Sequence, residues 1–469
     1  MSMRPPLFSL LPRPRPMALA GRRVLVLGLG DTGLAVTRWA KRQGAIVRVA
    51  DTRQAPPRAP ELESAELVTG AFGAGLLQGI DLVCISPGLA LAEPLAQEAL
   101  ARGIPLVGEI ELFAWHVRAT GDRGRVVAVT GTNGKTTVSA LTGHLLRAAG
   151  IDCEVAGNIG PAALEALMRR LDTSRPPAAW VLELSSYQLE TTWSLAPDVA
   201  TVLNLSEDHL DRYADLAEYG AAKARVFQGE GVQVLNREDP RSAALALPGR
   251  RQISFGLDAP PGSEDFGLVS RAGRTWLAQG DHTLIEADAL PIHGWHNASN
   301  ALAAAALARA VGAGHGPIGE GLRSFRGLPH RLQQVAQRGG VAWYDDSKGT
   351  NVGATIAALR GLARSVVLIA GGDGKGQDFA PLAGPVAERA RRVLLIGRDA
   401  PLIARALVAS GVPLELCDSL EHAVERAAAC AQAGDAVLLS PACASFDMFR
   451  DYRHRGDAFA AAVRALANG

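Results

Sequence analysis

The sequence predicts an α/β protein with three domains, each built around a mainly parallel sheet. Two observations support this fold class: apolar, β-branched runs alternate with helical patterns, and new series of strands begin near residues 119 and 327. The length agrees, because 469 residues correspond to about three domains of roughly 150 residues. We expect a disordered arm over 1–18, followed by domains over 19–118, 119–326 and 327–469.

Composition excludes several classes of protein. Hydrophobic residues make up 48% and charged residues 20%, which is typical of globular proteins and excludes wholesale disorder. The net charge of +1 provides no general attraction for nucleic acid or anionic membranes. No apolar run reaches the roughly 18 residues of a membrane-spanning helix, and the five cysteines lack C-x-x-C spacing. We therefore expect a cytoplasmic protein with reduced thiols that binds neither nucleic acid nor membrane.

The first 118 residues predict an arm and a β-α-β unit. Five prolines between Pro5 and Pro16 break any signal-peptide helix in the arm. From Arg22, RRVLVLGLG is typical of a buried strand; a helical pattern and a second strand, AIVRVAD, follow it. A third strand, DLVCISPG, ends in a turn. This alternation predicts a parallel sheet.

The central region begins with RVVAVTGTNGKTT, a strand that runs into a glycine-rich loop. Two more buried strands follow, VLELSS and TVLNLSEDHLD, while short alternating strands between 232 and 290 predict a small β region. The alanine-rich segment 297–311 is a helix by propensity. Beyond GLPHR, four further strands predict the third α/β domain: VAWYDDS, SVVLIAGG, RRVLLIGRD and DAVLLSPA.

Gly28, Gly30 and Gly33 form G-x-G-x-x-G between a strand and a helix, and Asp51 ends the next strand. Glycines at this spacing let a diphosphate approach the backbone at a helix N-terminus. The motif alone does not separate a nicotinamide cofactor from another diphosphate ligand, or from a turn without a ligand.

The segment Gly131–Thr137, GTNGKTT, is a stronger signal. It joins a buried strand to a helix, so its N–H groups and Lys135 can surround nucleotide phosphates while Thr136 places a hydroxyl on Mg²⁺. Val129 occupies the position where a full P-loop has its first glycine, so the loop is a shortened form.

Other polar residues follow predicted strands but are ambiguous individually. Glu183 fits a magnesium ligand or a solvated acid, His209 a ligand or a solvated loop residue, and Lys223 a site residue or a helix-surface lysine. In the third domain, YDDSKGTN, GGDGKGQDF and SPACASFD each follow a strand. Three such loops at the carboxyl ends of parallel strands favour a ligand site there.

Together these motifs resemble the Mur ligase family, over the chain from about Leu19 onwards. GTNGKTT is shared by the wider superfamily, which includes folylpolyglutamate synthetases. Seven further segments resemble the D-glutamate-adding branch of this family: ELSSYQLE, NIG, DHLDRY, GLPHR, DSKGTN, GGDGKG and SPACASFD. The sequence departs from that branch at Met448, where glutamine is common, and at Tyr452, where phenylalanine is common.

The resemblance implies an ATP-dependent acid–amino-acid ligase of peptidoglycan synthesis, with Rossmann-like N-terminal and C-terminal domains and a central P-loop ATPase domain. It would be a monomer that joins D-glutamate to UDP-N-acetylmuramoyl-L-alanine through an acyl phosphate. Two Mg²⁺ ions would assist, with Lys223 present as a carbamate.

The resemblance also assigns roles to individual residues. The UDP contacts would be Asp31, Thr32, Asp51, Arg53, Ser86 and Gly88, with Asn158 and His209 facing the muramoyl-alanyl part. ATP would contact Gly131, Thr132, Asn133, Gly134, Lys135, Thr136, Thr137, Asn297, Asn300, Arg331 and Asp346. Glutamate would contact Lys348, Thr350, Ser445 and Tyr452. The metal ligands would be Thr136, Glu183, His209 and Lys223, and the catalytic set Lys135, Glu183, His209, Lys223 and Lys348.

Alternatives remain open at this point. A nicotinamide dehydrogenase would use the first glycine motif but leaves GTNGKTT, DSKGTN and SPACASFD without a role. A non-catalytic nucleotide-binding regulator would not need Glu183, His209 or Lys223. A folylpolyglutamate-type or other Mur-type ligase is the nearest enzymatic alternative.

Overall fold

The structure, a computed structural model, describes residues 6–120, 124–209 and 212–466. It confirms an α/β fold with three separate sheets of five, nine and six strands. Across these described ranges, no helix combines the length and apolarity needed to cross a bilayer.

The first sheet is entirely parallel, with strand order β3-β2-β1-β4-β5. Its strands are β1 Arg23–Leu27, β2 Ile46–Asp51, β3 Glu66–Thr69, β4 Leu82–Ile85 and β5 Leu106–Val107. Four helices precede, connect or directly follow these strands: α1 Leu7–Leu10, α2 Asp31–Arg42, α3 Pro94–Ala101 and α4 Glu109–Ala119. The interiors of β1 and β4 are fully buried, which explains their continuous apolar sequences.

The second sheet has the order β14-β13-β12-β11-β10-β9-β6-β8-β7. Its strands are β6 Arg125–Thr130, β7 Cys153–Gly157, β8 Ala179–Glu183, β9 Val199–Val202, β10 Val232–Asn236, β11 Gln252–Phe255, β12 Phe266–Arg271, β13 Arg274–Gln279 and β14 His282–Glu286. Its helices are α5 Lys135–Ala148, α6 Ala163–Asp172, α7 Ser186–Glu190, α8 Leu216–Ala224, α9 Pro240–Ala243, α10 Trp295–Val311 and α11 His315–Ser324. The small β region is therefore part of the central sheet: β12 pairs with β11, and β13 and β14 extend the edge antiparallel.

The third sheet, β15-β16-β20-β17-β18-β19, is parallel except for the hairpin β15–β16. Its strands are β15 Gln333–Arg338, β16 Val341–Asp345, β17 Val366–Gly371, β18 Ala390–Ile396, β19 Leu414–Leu416 and β20 Ala436–Leu439. Its helices are α12 Val352–Gly361, α13 Ala383–Arg389, α14 Ala400–Leu407, α15 Leu420–Cys430 and α16 Tyr452–Ala465.

Of the arm over 1–18 that the sequence predicts to be disordered, the structure describes residues 6–18, which include the short helix α1; residues 1–5 lie outside the described ranges. Phe8 in α1 is 5% exposed and belongs to the same buried cluster as the first sheet. The Arg225 guanidinium lies 5.9 Å from its ring and 5.1 Å from the ring of Trp193. Prolines prevent a long helix here, but they do not prevent a short segment from burying one aromatic side chain.

The arm also borders a cavity of about 830 Å³, whose lining includes Arg13, Arg15, Trp193 and Arg250. Residues of this lining precede β9, β10 and β11, so the cavity lies at the amino ends of those strands. Open α/β sheets bind their ligands at the opposite, carboxyl edge. None of the site residues predicted from the sequence lines this cavity, and we place no catalytic role there.

The packing of Phe8 predicts a measurable contribution of the arm to stability. Phe8→Ala should lower the melting temperature by at least about 3 °C, because removing a buried phenylalanine costs on the order of 3 kcal/mol. Leu10→Ala, in the same helix but 63% exposed, is the matched control and should melt like the wild type. Equal melting temperatures for all three proteins in differential scanning calorimetry would contradict the packing described here.

Candidate active site

A cavity of about 340 Å³ opens at the carboxyl ends of β1, β2 and β4. All six residues expected to contact UDP line it, namely Asp31, Thr32, Asp51, Arg53, Ser86 and Gly88. Thr52, Phe72 and Leu89 also line it, and the sequence motifs did not single them out. The structure thus brings the predicted nucleotide residues of the first domain into one cavity.

The glycine motif works by close approach of two backbone segments. A Cβ on Gly33 would overlap the carbonyl oxygen of Gly28, so α2 can approach the end of β1 only with glycine at this position. The hydroxyl of Ser86 donates to the same Gly28 carbonyl at 3.0 Å, tying β4 to the loop.

Asp51 holds the rim of this cavity in place. Its Oδ2 accepts from Leu29 N at 2.7 Å, and its two oxygens accept from the Arg53 guanidinium at 2.8 and 2.6 Å. The hydrogen bonds from Arg53 lower the pKa of Asp51 to about 2. Asp51 is therefore ionised at neutral pH, and it orients Arg53 and the glycine loop.

The loop between β6 and α5 has the strand–loop–helix context expected of a phosphate-binding loop. Gly134 precedes α5 with φ of 83°, a left-handed conformation that favours glycine. Asn204 Oδ1 accepts from Asn133 N at 2.8 Å, and its Nδ2 donates to Asn133 O at 3.1 Å. The loop is thus fixed against the segment that follows β9.

Two lysines meet at one carbonyl of this loop. Lys135 Nζ donates to Gly131 O at 2.8 Å and to Thr132 O at 2.7 Å, while Lys223 Nζ also donates to Gly131 O at 2.8 Å. Burial lowers the pKa of both ammonium groups, and the positive charge of Lys135 lowers that of Lys223 further. Lys223 is 1% exposed, so it is buried beside the loop and is not a helix-surface lysine.

Glu183 ends β8 beside this loop and is 1% exposed. Its Oε1 accepts from Asn158 Nδ2 at 2.7 Å, while its Oε2 is buried without a hydrogen-bond partner. A buried carboxylate oxygen with no donor is costly unless a ligand completes it. Oxygen atoms of this kind are what a hard cation such as Mg²⁺ binds.

His209 lies in the loop after β9, with φ of 57°. Its Nδ1 hydrogen-bonds to the Tyr187 hydroxyl at 2.7 Å, and Nε2 lies 3.8 Å from Asp208 Oδ2. The next two residues of the DHLDRY motif, 210 and 211, lie outside the described ranges. Tyr187 and Asp208 are neighbours of His209 that the predicted site did not include.

The start of α10 brings two predicted nucleotide residues to the loop. Asn300 Nδ2 donates to Asn297 Oδ1 at 3.2 Å, and a Cβ on Gly134 would overlap Asn300 Oδ1. His296, directly before Asn297 in the helix, lies against α12, because a Cβ on Gly361 would lie 2.8 Å from its ring. Its Nδ1 is buried without a partner, and burial lowers the pKa of His296 to about 4.

The third domain adds charged residues to the same site. Burial lowers the pKa of Arg331, which the negative charge of Glu183 raises in part, and it lowers the pKa of Lys348 to about 8. Lys135 also acts on Lys348 electrostatically, which places the cations of two domains around Glu183. Burial raises the pKa of Asp346 to about 7, although its Oδ2 accepts from Ser440 at 2.8 Å.

The residues expected to contact glutamate lie on two loops and α16. Lys348 Nζ lies 4.0 Å from the centre of the Tyr452 ring. Ser445 is buried in the loop after β20, and Thr350 N donates to Lys348 O. The buried Arg455 joins the loops by donating to Ser347 O at 2.8 Å and Cys443 O at 3.1 Å.

Several residues around the candidate site were not in the set predicted from the sequence. The structure adds Asn204, Tyr187, Tyr219, Asn351 and Arg455. Tyr219 stands with its ring 4.5 Å from Lys223 Nζ, and Asn351 contacts Asn133. Tyr187, Asn204 and Asn351 lie within the segments ELSSYQLE, TVLNLSEDHLD and DSKGTN. Their position at or after a strand could have indicated them, whereas Tyr219 and Arg455 lie outside every such segment.

Comparisons with known proteins find similar sequences over most of the chain. Three family models match consecutive stretches: Mur ligase MurD-like N-terminal domain over 22–108, Mur ligase middle domain over 129–308, and Mur ligase glutamate ligase domain over 330–443. The chain is 57% identical over 457 residues to UDP-N-acetylmuramoylalanine--D-glutamate ligase of Nitrosospira multiformis, covering 96% of this chain and 97% of the relative. The protein of the same name from Aromatoleum aromaticum is 56% identical over 459 residues, covering 96% and 98%.

Solved structures share the fold at lower identity. MurF from Acinetobacter baumannii superposes with a TM-score of 0.62 at 18% identity, covering 95% of this chain and 91% of that one. UDP-N-acetylmuramate-alanine ligase MurC from Thermotoga maritima gives 0.60 at 19% identity, covering 94% and 99%. Both show the same three-sheet α/β fold.

The environment of His296 predicts a dependence of stability on pH. Its pKa of about 4 lies below the ordinary 6.5, so between these values the unfolded chain binds a proton that the folded chain does not. The contribution of His296 to the free energy of unfolding is therefore fully present above pH 6.5 and is lost as the pH falls towards 4. The melting temperature of the wild type should fall more steeply from pH 7.5 to 4.5 than that of His296→Gln.

His293→Gln is the control for this measurement, because His293 is exposed and lies three residues away. It should follow the wild-type pH profile. Parallel profiles for wild type and His296→Gln would show that His296 is not held neutral by the fold.

Proposed function

The chain belongs to the Mur ligase family, and on this premise we propose that it joins D-glutamate to UDP-N-acetylmuramoyl-L-alanine at the expense of ATP. The relatives above 50% identity carry that activity in their names and match nearly their whole length. The protein is a ligase of peptidoglycan synthesis. We further propose that it acts as a monomer in the cytoplasm.

The observation that carries the proposal is the convergence of cations from two domains on Glu183. Lys135 comes from the central domain, whereas Arg331 and Lys348 come from the C-terminal domain, and each interacts electrostatically with this carboxylate. A reaction between two anions, a substrate carboxylate and the γ-phosphate of ATP, requires such a concentration of positive charge.

The reaction divides into two balanced steps. The alanine carboxylate oxygen attacks the γ-phosphorus, the bond between the β,γ-bridging oxygen and that phosphorus breaks, and an acyl phosphate and ADP result. The neutral amine of glutamate then attacks the acyl carbon, phosphate leaves, and the amine loses a proton as the amide forms. Lys135 would hold the phosphates, and Arg331 and Lys348 would balance charge that accumulates on them.

The side-chain donors of the site fit Mg²⁺ only in part. Among residues 6–120, 124–209 and 212–466 no cluster of three or more His, Cys, Asp or Glu side chains could hold a metal. Glu183 offers an unpartnered buried oxygen, and Thr136 and His209 are the further protein donors that we propose. Bound there, Mg²⁺ would neutralise phosphate charge and align the two anions.

Lys223 fits such a site only after a change of charge, since a buried ammonium beside Glu183 and Lys135 would repel a cation. Its lowered pKa increases the fraction of neutral amine. The neutral nitrogen can attack the carbon of CO₂, forming an N–C bond and losing one proton, to give a carbamate with two oxygens. We propose this modified form for the working enzyme.

The first cavity would hold UDP, with its diphosphate at the amino end of α2. The distribution of the two nucleotides over different domains separates this proposal from a nicotinamide dehydrogenase, which has no use for the second loop. It leaves a folylpolyglutamate-type ligase as the enzymatic alternative, which the 57% identity to a D-glutamate ligase disfavours.

A phosphate-release assay tests the proposal directly. With ATP, Mg²⁺ and UDP-N-acetylmuramoyl-L-alanine, we expect phosphate release on addition of D-glutamate and none with L-glutamate. Lys135→Ala should reduce turnover by about 10²-fold or more, while calorimetry should show unchanged binding of the UDP substrate. Phosphate release with L-glutamate, or loss of UDP-substrate binding in Lys135→Ala, would contradict the assignment.

The carbamate makes a separate prediction. Lys223→Ala should lose about 10²-fold or more of its turnover, and acetate should restore part of it by filling the vacated space with a carboxylate. Lys223→Arg is the matched control, because it keeps the positive charge but cannot be carbamylated, and acetate should not restore it. Near-normal turnover in Lys223→Ala would make this residue an ordinary buried lysine.

A further inference from the structure

The nucleotide loop and the C-terminal domain meet through a pair of asparagines. Asn351 Nδ2 donates to Asn133 Oδ1 at 3.1 Å, and Asn133 Nδ2 donates to Asn351 Oδ1 at 3.4 Å. The two amides are 218 residues apart in sequence and form a reciprocal pair across the domain boundary.

Each asparagine is fixed within its own domain. The backbone of Asn133 is held on both sides by the amide of Asn204. Asn351 caps α12, because its Oδ1 accepts from Ala354 N at 2.8 Å. That backbone donor also settles which amide atom of Asn351 is the oxygen. The pair therefore joins two rigid elements rather than two mobile side chains.

Close packing around the pair supports the contact. A Cβ on Gly353, in the first turn of α12, would lie 3.3 Å from Asn133 Nδ2 and 3.3 Å from Ser206 Oγ. Both distances are tighter than ordinary contacts, so glycine lets the helix approach the loop this closely.

The pair connects two binding segments. Asn133 lies within the loop that surrounds the ATP phosphates, and Asn351 ends the segment 346–351, which carries Asp346 and Lys348. We propose that Asn351 is a positioning residue that, through Asn133, couples occupancy of the nucleotide loop to placement of the glutamate-binding segment. Because coupling between two ligands is reciprocal, glutamate must then strengthen binding of the nucleotide by the same factor.

The inference rests on the proposed function in taking ATP and glutamate as the two ligands. A double-mutant cycle separates the coupling role from the capping role. Asn351→Ser keeps a good helix cap but is too short to reach Asn133, whereas Asn351→Ala removes both. Asn351→Ser should melt like the wild type and raise KM for D-glutamate by about fivefold or more, with a smaller change in kcat.

The same substitution in an Asn133→Ala background should have no further effect on that KM, because the partner is already absent. Gly353→Ala, which pushes the helix away from the loop, should raise KM as Asn351→Ser does. Wild-type KM in Asn351→Ser, or effects that multiply in the double variant, would overturn the proposal.

Calorimetry provides a readout that does not depend on turnover. With the UDP substrate saturating, D-glutamate should tighten binding of a non-hydrolysable ATP analogue to the wild type by about fivefold or more, and not to Asn351→Ser. If D-glutamate does not change the affinity of the wild type for the analogue, the coupling is overturned. The ligase assignment would then still be supported by phosphate release in the activity assay. Failure of phosphate release with every amino acid would instead overturn the ligase assignment.

Discussion

The carbonyl oxygen of Gly131 is the point on which the site depends, because it accepts hydrogen bonds from two lysines at once. Two ammonium groups this close repel each other, and burial weakens the screening that water would provide. The repulsion falls when anionic phosphates bind between them or when one amine becomes neutral. The excess of positive charge is thus relieved by the substrate and by the modification that the proposed chemistry needs.

The architecture delivers these groups because parallel strands end at one edge. In the central sheet β9, β6, β8 and β7 are neighbours, so the segments that follow them lie side by side although they are distant in sequence. The order β16-β20-β17 does the same for the three polar loops of the C-terminal domain. The two edges face each other across Asn133 and Asn351. The reaction can therefore be assembled from loops while the sheets remain rigid.

What the sequence could and could not predict follows from the range of each interaction. The fold class, the two glycine loops and the carboxylate at the end of β8 were predictable, since each depends on a strand and the residues at or directly after its end. The burial of Phe8 was not, because it depends on a surface assembled from remote segments. The same holds for the pairing of β12 with β11, which joins the small β region to the central sheet, and for the contact of His209 with Tyr187, 22 residues away in sequence.

Arg455 shows why long-range contacts of this kind escape motif analysis. It is 1% exposed, and its guanidinium donates to carbonyls of Ser347, Cys443 and Ala444 and to the Ser347 hydroxyl. Burial lowers its pKa to about 10, so it remains charged at neutral pH. Burying a cation against neutral acceptors is costly, whereas the planar donors of arginine can reach two loops together, which a lysine cannot do.

The position of Arg455 explains why that cost is tolerated in the fold. The loops that it joins carry Lys348 and Ser445, and its own helix begins at Tyr452. One buried guanidinium therefore sets the relative positions of three residues that we propose for glutamate. A backbone hydrogen bond from Ala442 N to Gly349 O at 2.9 Å also joins these two loops. The arrangement of the proposed glutamate residues therefore depends on contacts that need not touch the substrate.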